Sequence, residues 1–275
     1  MNGDSPVTVD LWTQAGLLIF AVILIATWVG ALLDFGRVGQ LPDEEQAVFR
    51  RETRRALPWA IALVAAQGVF VLIMYLAGSL KAGTMVASNY VFIGLVLPFM
   101  WGSGRVREFR QGLPLAQAGL SRGKKWCIIA LLGVAGAVFS LVLFRWAGVR
   151  VGSSVTEISK MGNVWTVALL ALWLMINAPW LEEMVFRHYL LVRVGGAGRN
   201  AWLRYGFAVL VTSALFAVGH AGHMVPAWPK LVQTFVWGVA LGYTRIFLGT
   251  GYAVALHMGF NVSAIMVAAF VPWES

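Results

Sequence analysis

The chain has 275 residues, 59% of them hydrophobic and 12% charged, with a mean hydropathy of +0.76. Soluble domains carry about a quarter charged residues, so the composition excludes a soluble globular domain, a disordered chain and a disulfide scaffold. The net charge of +9 does not point to nucleic acid, because the Lys and Arg residues sit between apolar runs, where they act as a topology signal. What remains is an all-α polytopic membrane protein.

Eight apolar runs are long enough to be taken as spans: 11–33, 58–80, 87–102, 126–148, 163–187, 205–221, 229–248 and 252–272. The expected fold is therefore about eight transmembrane helices in one integral membrane domain, 1–275. No basic n-region precedes the first run, so it does not read as a cleaved signal. The single cysteine, Cys127, lies in an apolar run and reads as a small buried hydrophobe.

The loops divide by charge. One set holds Arg37, Arg50, Arg51, Arg54 and Arg55, then Arg105, Arg107, Arg110, Arg122, Lys124 and Lys125, then Arg193, Arg199 and Arg204. The other holds Lys81, Arg150, Lys160 and Lys230. Basic excess stays in the cytoplasm, which predicts both termini on the non-cytoplasmic side. Segments 34–57 and 103–125 mix charges with apolar residues and are taken as solvated loops rather than surface helices. A Gly- and Ala-rich composition with Arg over Lys points to a bacterial cytoplasmic membrane.

Ionisable groups inside a membrane are costly and mark sites. Of the twelve acids, ten lie in loops, tails or span edges, and the other two are adjacent, Glu182 and Glu183. All four histidines, His188, His220, His223 and His257, fall in the last third of the chain. Chemistry is therefore expected on the last four spans. Glu183 and Arg187 are four residues apart and can pair on one helix face. Glu182 then points about 100° away and is free for proton transfer. Pro179 frees a backbone carbonyl and bends the helix beside them. Phe216 to His220 and His257 to Asn261 supply two imidazoles and an amide. A carboxylate with these groups could activate water and stabilise an oxyanion; Glu182, His220 and His257 could equally hold zinc. Structural readings stand beside these: a buried ion pair fixing helix register, and histidines that only pack. His188 and His223, near helix ends, are assigned to the structural reading. Gly238 and Gly242 make a small-xxx-small face for close helix packing.

Glu182-Glu183…Arg187, Phe216…His220 and His257…Asn261, in that order on late helices, resemble the CPBP family. This group comprises type II CAAX prenyl endopeptidases and bacteriocin-processing or immunity (Abi-like) proteins. The resemblance covers about residues 120–265, which would be the catalytic core. It implies a glutamate-dependent intramembrane endopeptidase acting near the cytoplasmic membrane face. Glu182 with His220 would activate water, His257 and Asn261 would stabilise the oxyanion, and Glu183 with Arg187 would hold the site together. It implies no obligatory cofactor, with zinc left open, and no His-Glu-x-x-His signature is present. The implied partners are the lipid bilayer and a membrane-associated, prenylated or apolar-tailed protein substrate. One departure is His188, where the family often has Gly; this bears on substrate fit more than on chemistry.

Two other function classes fit the composition: a non-enzymatic immunity or scaffold protein, and a proton-coupled transporter using Glu182 and Glu183. The absence of an inverted repeat weighs against the transporter. A geometric tension also stands. At 1.5 Å per residue, His220 lies roughly 24–32 Å from the cytoplasmic edge but His257 only about 9 Å, so one helix must tilt, kink or start deeper for them to meet.

Overall fold

The computed structural model describes residues 11–76, 78, 80–111, 119–151, 164–196, 200–220, 224–225 and 227–270. Helix α1 (Leu11–Gly36) leads through a short 3-10 turn, Val38–Gln40, into a long helical hairpin, α2 (Asp43–Leu76) and α3 (Leu80–Gln111). Then come α4 (Arg122–Trp146) and α5 (Val164–Glu182). Helix α5 continues without a break through a π-helical segment, Glu183–Leu190, and one last α turn, Leu191–Val194. The chain ends on α6 (Ala201–Val218), α7 (Trp228–Phe247) and α8 (Thr250–Phe270).

About eight transmembrane helices were expected, and the structure corrects this. Among the described residues four helices are long and apolar enough to cross a membrane: Gln14–Gly36, Asp43–Leu76, Arg122–Trp146 and Ala201–Val218. The reason is that an apolar run is equally well explained by a protein interior. Helix α7 buries Lys230, Gln233, Thr234, Thr244 and Arg245 against its neighbours, and α8 buries Ala253, Val254, Leu256, His257 and Phe260. The outward faces show the lipid-compatible surface instead: Val22, Ile25 and Val29 on α1, Leu131, Val134 and Val138 on α4, Leu203 and Phe207 on α6 are all exposed. Several long apolar helices with such faces place the protein in a membrane.

Two further expectations are corrected. Segment 43–57 is the beginning of α2, and 103–111 the end of α3. Acidic Asp43, Glu44 and Glu45 occupy the first turn of α2, where the helix dipole favours them, and the helix runs straight through Pro58. Ion pairs across the hairpin, Glu45 to Arg110 among them, hold the two charged ends together. Cys127 is exposed on α4 rather than buried, because the apolar face it belongs to looks outward. The fold is all-α as expected, with one two-residue ladder in addition: Arg150–Val151 (β1) pairs antiparallel with Met224–Val225 (β2), tying the segment after α4 to the one after α6.

The close packing expected of Gly238 and Gly242 falls between α7 and α6. A Cβ on Gly238 would lie 2.8 Å from that of Ser213, and one on Gly242 would lie 2.9 Å from Val209. Two apolar clusters flank the region between these helices. One gathers Met100, Val185, Phe186, Tyr189 and Phe216; the other gathers Ile129, Trp237, Leu241, Leu256 and Phe260.

Candidate active site

The π-helical segment begins at Glu183, four residues after Pro179, whose ring nitrogen has no hydrogen to donate. It closes with the amide of Leu191 on the carbonyl of Phe186. Such wide turns recur at functional sites, and here all of Glu183 to Tyr189 is buried. At its far end, Asp34 of α1 accepts hydrogen bonds from Tyr189 (3.0 Å), Arg107 (3.1 Å) and Arg193 (3.3 Å). The segment is thus pinned to α1 and α3.

Glu183 and Arg187 form the pair expected from their spacing, at 3.2 Å and with both side chains fully buried. Arg187 also donates to the carbonyl of Gly238 on α7 (3.3 Å) and lies 4.3 Å over the Phe216 ring. The same Glu183 oxygen accepts from Nδ1 of His257 at 2.9 Å. That bond fixes the imidazole so that its Nε2 faces Glu182 at 3.5 Å. His220 reaches the same carboxylate from α6, its Nε2 3.9 Å from Glu182. Its Nδ1 donates to the Phe216 carbonyl at 2.8 Å, which leaves Nε2 as the basic nitrogen. Both imidazoles therefore turn their Nε2 atoms toward one carboxylate.

Exposure separates the two glutamates. Glu182 and His220 keep 17% and 18% of their side-chain surface, while Glu183 and Arg187 keep none. Water can reach the first pair and not the second. Asn261 sits one turn beyond His257 on α8, on the same face and half-buried. The structure thus brings Glu182, Glu183, Arg187, His220 and His257 together, with Asn261 adjacent along the helix.

His257 reaches the cluster through the way α8 packs on the π segment. The α7–α8 turn lies inside the protein, with Arg245 and Leu248 buried, and Thr250 at the head of α8 meets Nδ1 of His188 at 3.4 Å. Helix α8 runs antiparallel to the π segment, so Thr250 falls beside His188 and His257 beside Glu183.

His188 takes no part in this cluster. Its ring stacks on Trp101 at 4.2 Å, and its Nε2 donates to the Trp101 carbonyl at 3.2 Å. Gly104 makes room for it, since a Cβ there would lie 2.7 Å from His188 Nε2. His223 lies outside the described residues. Among those described, no group of three or more His, Cys, Asp or Glu residues is arranged to hold a metal ion, so no chemical step is built on the zinc set Glu182, His220 and His257.

One charged residue was missed by sequence reasoning. Lys230, counted as a loop base, is buried at the head of α7 and within electrostatic reach of Glu182. Its Nζ donates to Gln233 at 2.9 Å and lies 5.3 Å over Phe260. Gln233 in turn donates to Ser140 on α4 at 2.9 Å. The signal was present: Lys230, Gln233 and Thr234 mark one polar face of a helix whose other residues are largely apolar.

The fold and this cluster define an α-helical membrane protein with a buried glutamate–histidine centre. Residues 163–263 match the family model described as Type II CAAX prenyl endopeptidase Rce1-like. Over that segment, which contains every residue of the cluster, the chain is similar to this protease family, in agreement with the CPBP resemblance. No curated protein and no solved structure matches the chain.

Proposed function

We propose that the protein is a glutamate-dependent intramembrane endopeptidase. Its substrate would be a membrane-associated protein with a lipid or apolar tail, cut near the cytoplasmic face, with residues 120–265 as catalytic core. The observation that carries this reading is the partly exposed Glu182 carboxylate with two imidazole Nε2 atoms turned toward it. Glu182 takes a proton from water as the water oxygen bonds to the substrate carbonyl carbon, and the carbonyl electron pair moves onto its oxygen. His257, held on Nδ1 by Glu183, stabilises that oxyanion from its Nε2 side together with the Asn261 amide. As the tetrahedral intermediate collapses, the C–N bond breaks and the leaving amine takes the proton back from Glu182, with His220 as the relay. Arg187 holds Glu183 in place. Lys230 balances the charge of Glu182.

The test is cleavage of a farnesylated peptide by the purified full chain in nanodiscs, wild type against Glu182→Gln. The expected result is loss of cleavage, by about 10²–10⁴-fold, with unchanged thermal stability. A folded Glu182→Gln protein that cleaves at the wild-type rate would overturn the assignment. A variant that loses cleavage yet keeps its cellular effect would move the biological role to binding.

A further inference from the structure

A second set of charges, buried at Arg245 and exposed at Arg51 and Arg55, lies beyond His188. A cavity of about 550 Å³ opens where the charged ends of α2 and α3 meet the α7–α8 turn, and its walls include Arg51, Glu52, Arg55, Arg105, Glu108 and Arg245. Each carboxylate in this wall is shared by two guanidiniums. Glu52 takes Arg51 and Arg55, both at 3.0 Å. Glu108 takes Arg105 at 2.7 Å and also Arg245. Four cations thus face two anions, and Arg245 retains only 4% of its side-chain surface. The N–H groups at Nε of Arg105 and Arg245 are buried without a hydrogen-bond acceptor. Buried guanidinium N–H groups without an acceptor are costly, and an anion entering the cavity between them and the exposed Arg51 and Arg55 supplies one.

The depth of the cavity bears on which anion. On α2 the exposed apolar residues Leu57, Trp59 and Ile61 begin immediately after Arg55, and exposed Phe109 stands at the cavity wall. An aromatic and apolar surface that starts where the arginines stop marks the boundary between hydrocarbon and headgroups. The cavity therefore opens at the level where lipid phosphates lie. Guanidiniums are suited to phosphate oxygens, which they bind in a bidentate fork. Thr250, the first residue of α8, also lines the cavity and adds the positive end of a helix dipole.

We propose that this cavity is an oxyanion site for a phosphate group, carried by a phospholipid headgroup or by a soluble phosphoester. It is separate from the glutamate–histidine cluster, and its occupancy does not depend on the protease reading. Bound phosphate neutralises the surplus of the four arginines and locks the charged end of the α2–α3 hairpin against the α7–α8 turn.

The test uses the purified full chain in detergent. Native mass spectrometry compares retention of phosphatidylglycerol and phosphatidylcholine with the same acyl chains. Thermal denaturation separately compares inorganic phosphate with chloride at matched ionic strength. The variant is Arg51→Gln/Arg55→Gln, whose side chains are 59% and 68% exposed and tolerate the change. The control is Arg50→Gln/Arg54→Gln, exposed positions on the same helix that do not line the cavity and remove the same charge. The expected result is a single phosphatidylglycerol retained about tenfold more tightly than phosphatidylcholine, a preference lost in the cavity variant and kept in the control. Stabilisation by phosphatidylglycerol alone identifies a headgroup as the source, and stabilisation by inorganic phosphate as well admits a soluble one. No preference in wild type for either anion, or an equal loss in variant and control, overturns the proposal.

Discussion

The two charge clusters differ in their balance, and the difference separates a reactive centre from a receptive one. Around the candidate active site, the acids Glu182 and Glu183 are matched by two cations, Arg187 and Lys230, and His220 supplies a basic nitrogen. Nothing there requires a permanent counter-ion, so the partly exposed Glu182 can pass a proton without leaving an uncompensated charge. In the second cluster two acids face four arginines. No carboxylate is left over; what is left over is positive charge. One π-helical segment serves both, with Glu183 and Arg187 turned to the first cluster and His188 to the second.

The strongest way to break this comparison lies within the adjacent glutamates. Glu182→Gln is expected to reduce turnover by about 10²–10⁴-fold with little change in stability, since the side chain is partly solvated and its imidazole partners stand 3.5 and 3.9 Å away. Glu183→Gln should cost turnover and fold together. It strips the buried Arg187 of its carboxylate partner and His257 of its anchor, and breaking a buried pair costs about 3–5 kcal/mol. Peptide cleavage and thermal denaturation on the same preparations read both quantities. Equal stability losses in the two variants would show that the glutamates are not divided into one reactive and one structural partner.

A smaller effect is expected from the second face of the π segment. Gly104→Ala pushes a methyl group to within 2.7 Å of the His188 ring and 2.8 Å of its backbone oxygen, and overpacking of this kind costs about 1–3 kcal/mol. His188→Ala in the same chain removes the ring and should recover part of the loss, though the backbone contact persists. A double-mutant cycle in thermal denaturation measures the coupling. Full additivity would mean that Gly104 is not there to seat the imidazole.

Much of the active-site cluster was legible in the sequence because its signal is chemical. Acids and imidazoles are so rare in apolar runs that Glu182, Glu183, His220 and His257 stood out singly, and the four-residue spacing of Glu183 and Arg187 gave their pairing. The span count was not legible, because hydropathy does not distinguish lipid from the inside of a protein. Helix α7 buries Lys230 and Arg245 near its two ends, both charged and both inside. The π segment left no periodic trace in eight residues, and so the separate orientation of His188 could not be read. The second cluster was hidden for another reason. Its arginines come from α2, α3 and α7, far apart in sequence, and in each they resemble ordinary loop charges until the helices bring them to one cavity wall.

The finest distinction between the clusters is whether they communicate, and Thr250 is placed to answer it. Its hydroxyl lies 3.4 Å from Nδ1 of His188 while the residue itself lines the arginine cavity. Thr250→Val nearly preserves volume and removes one long hydrogen bond, for an expected loss of about 0.5–1.5 kcal/mol in thermal denaturation. If the two faces of the π segment are mechanically independent, cleavage per folded molecule stays unchanged. A fall in cleavage larger than the stability loss explains would mean that His188 holds the register of Glu183 and Arg187. The arginine cavity would then be a place from which a bound phosphate could set the geometry of the glutamates.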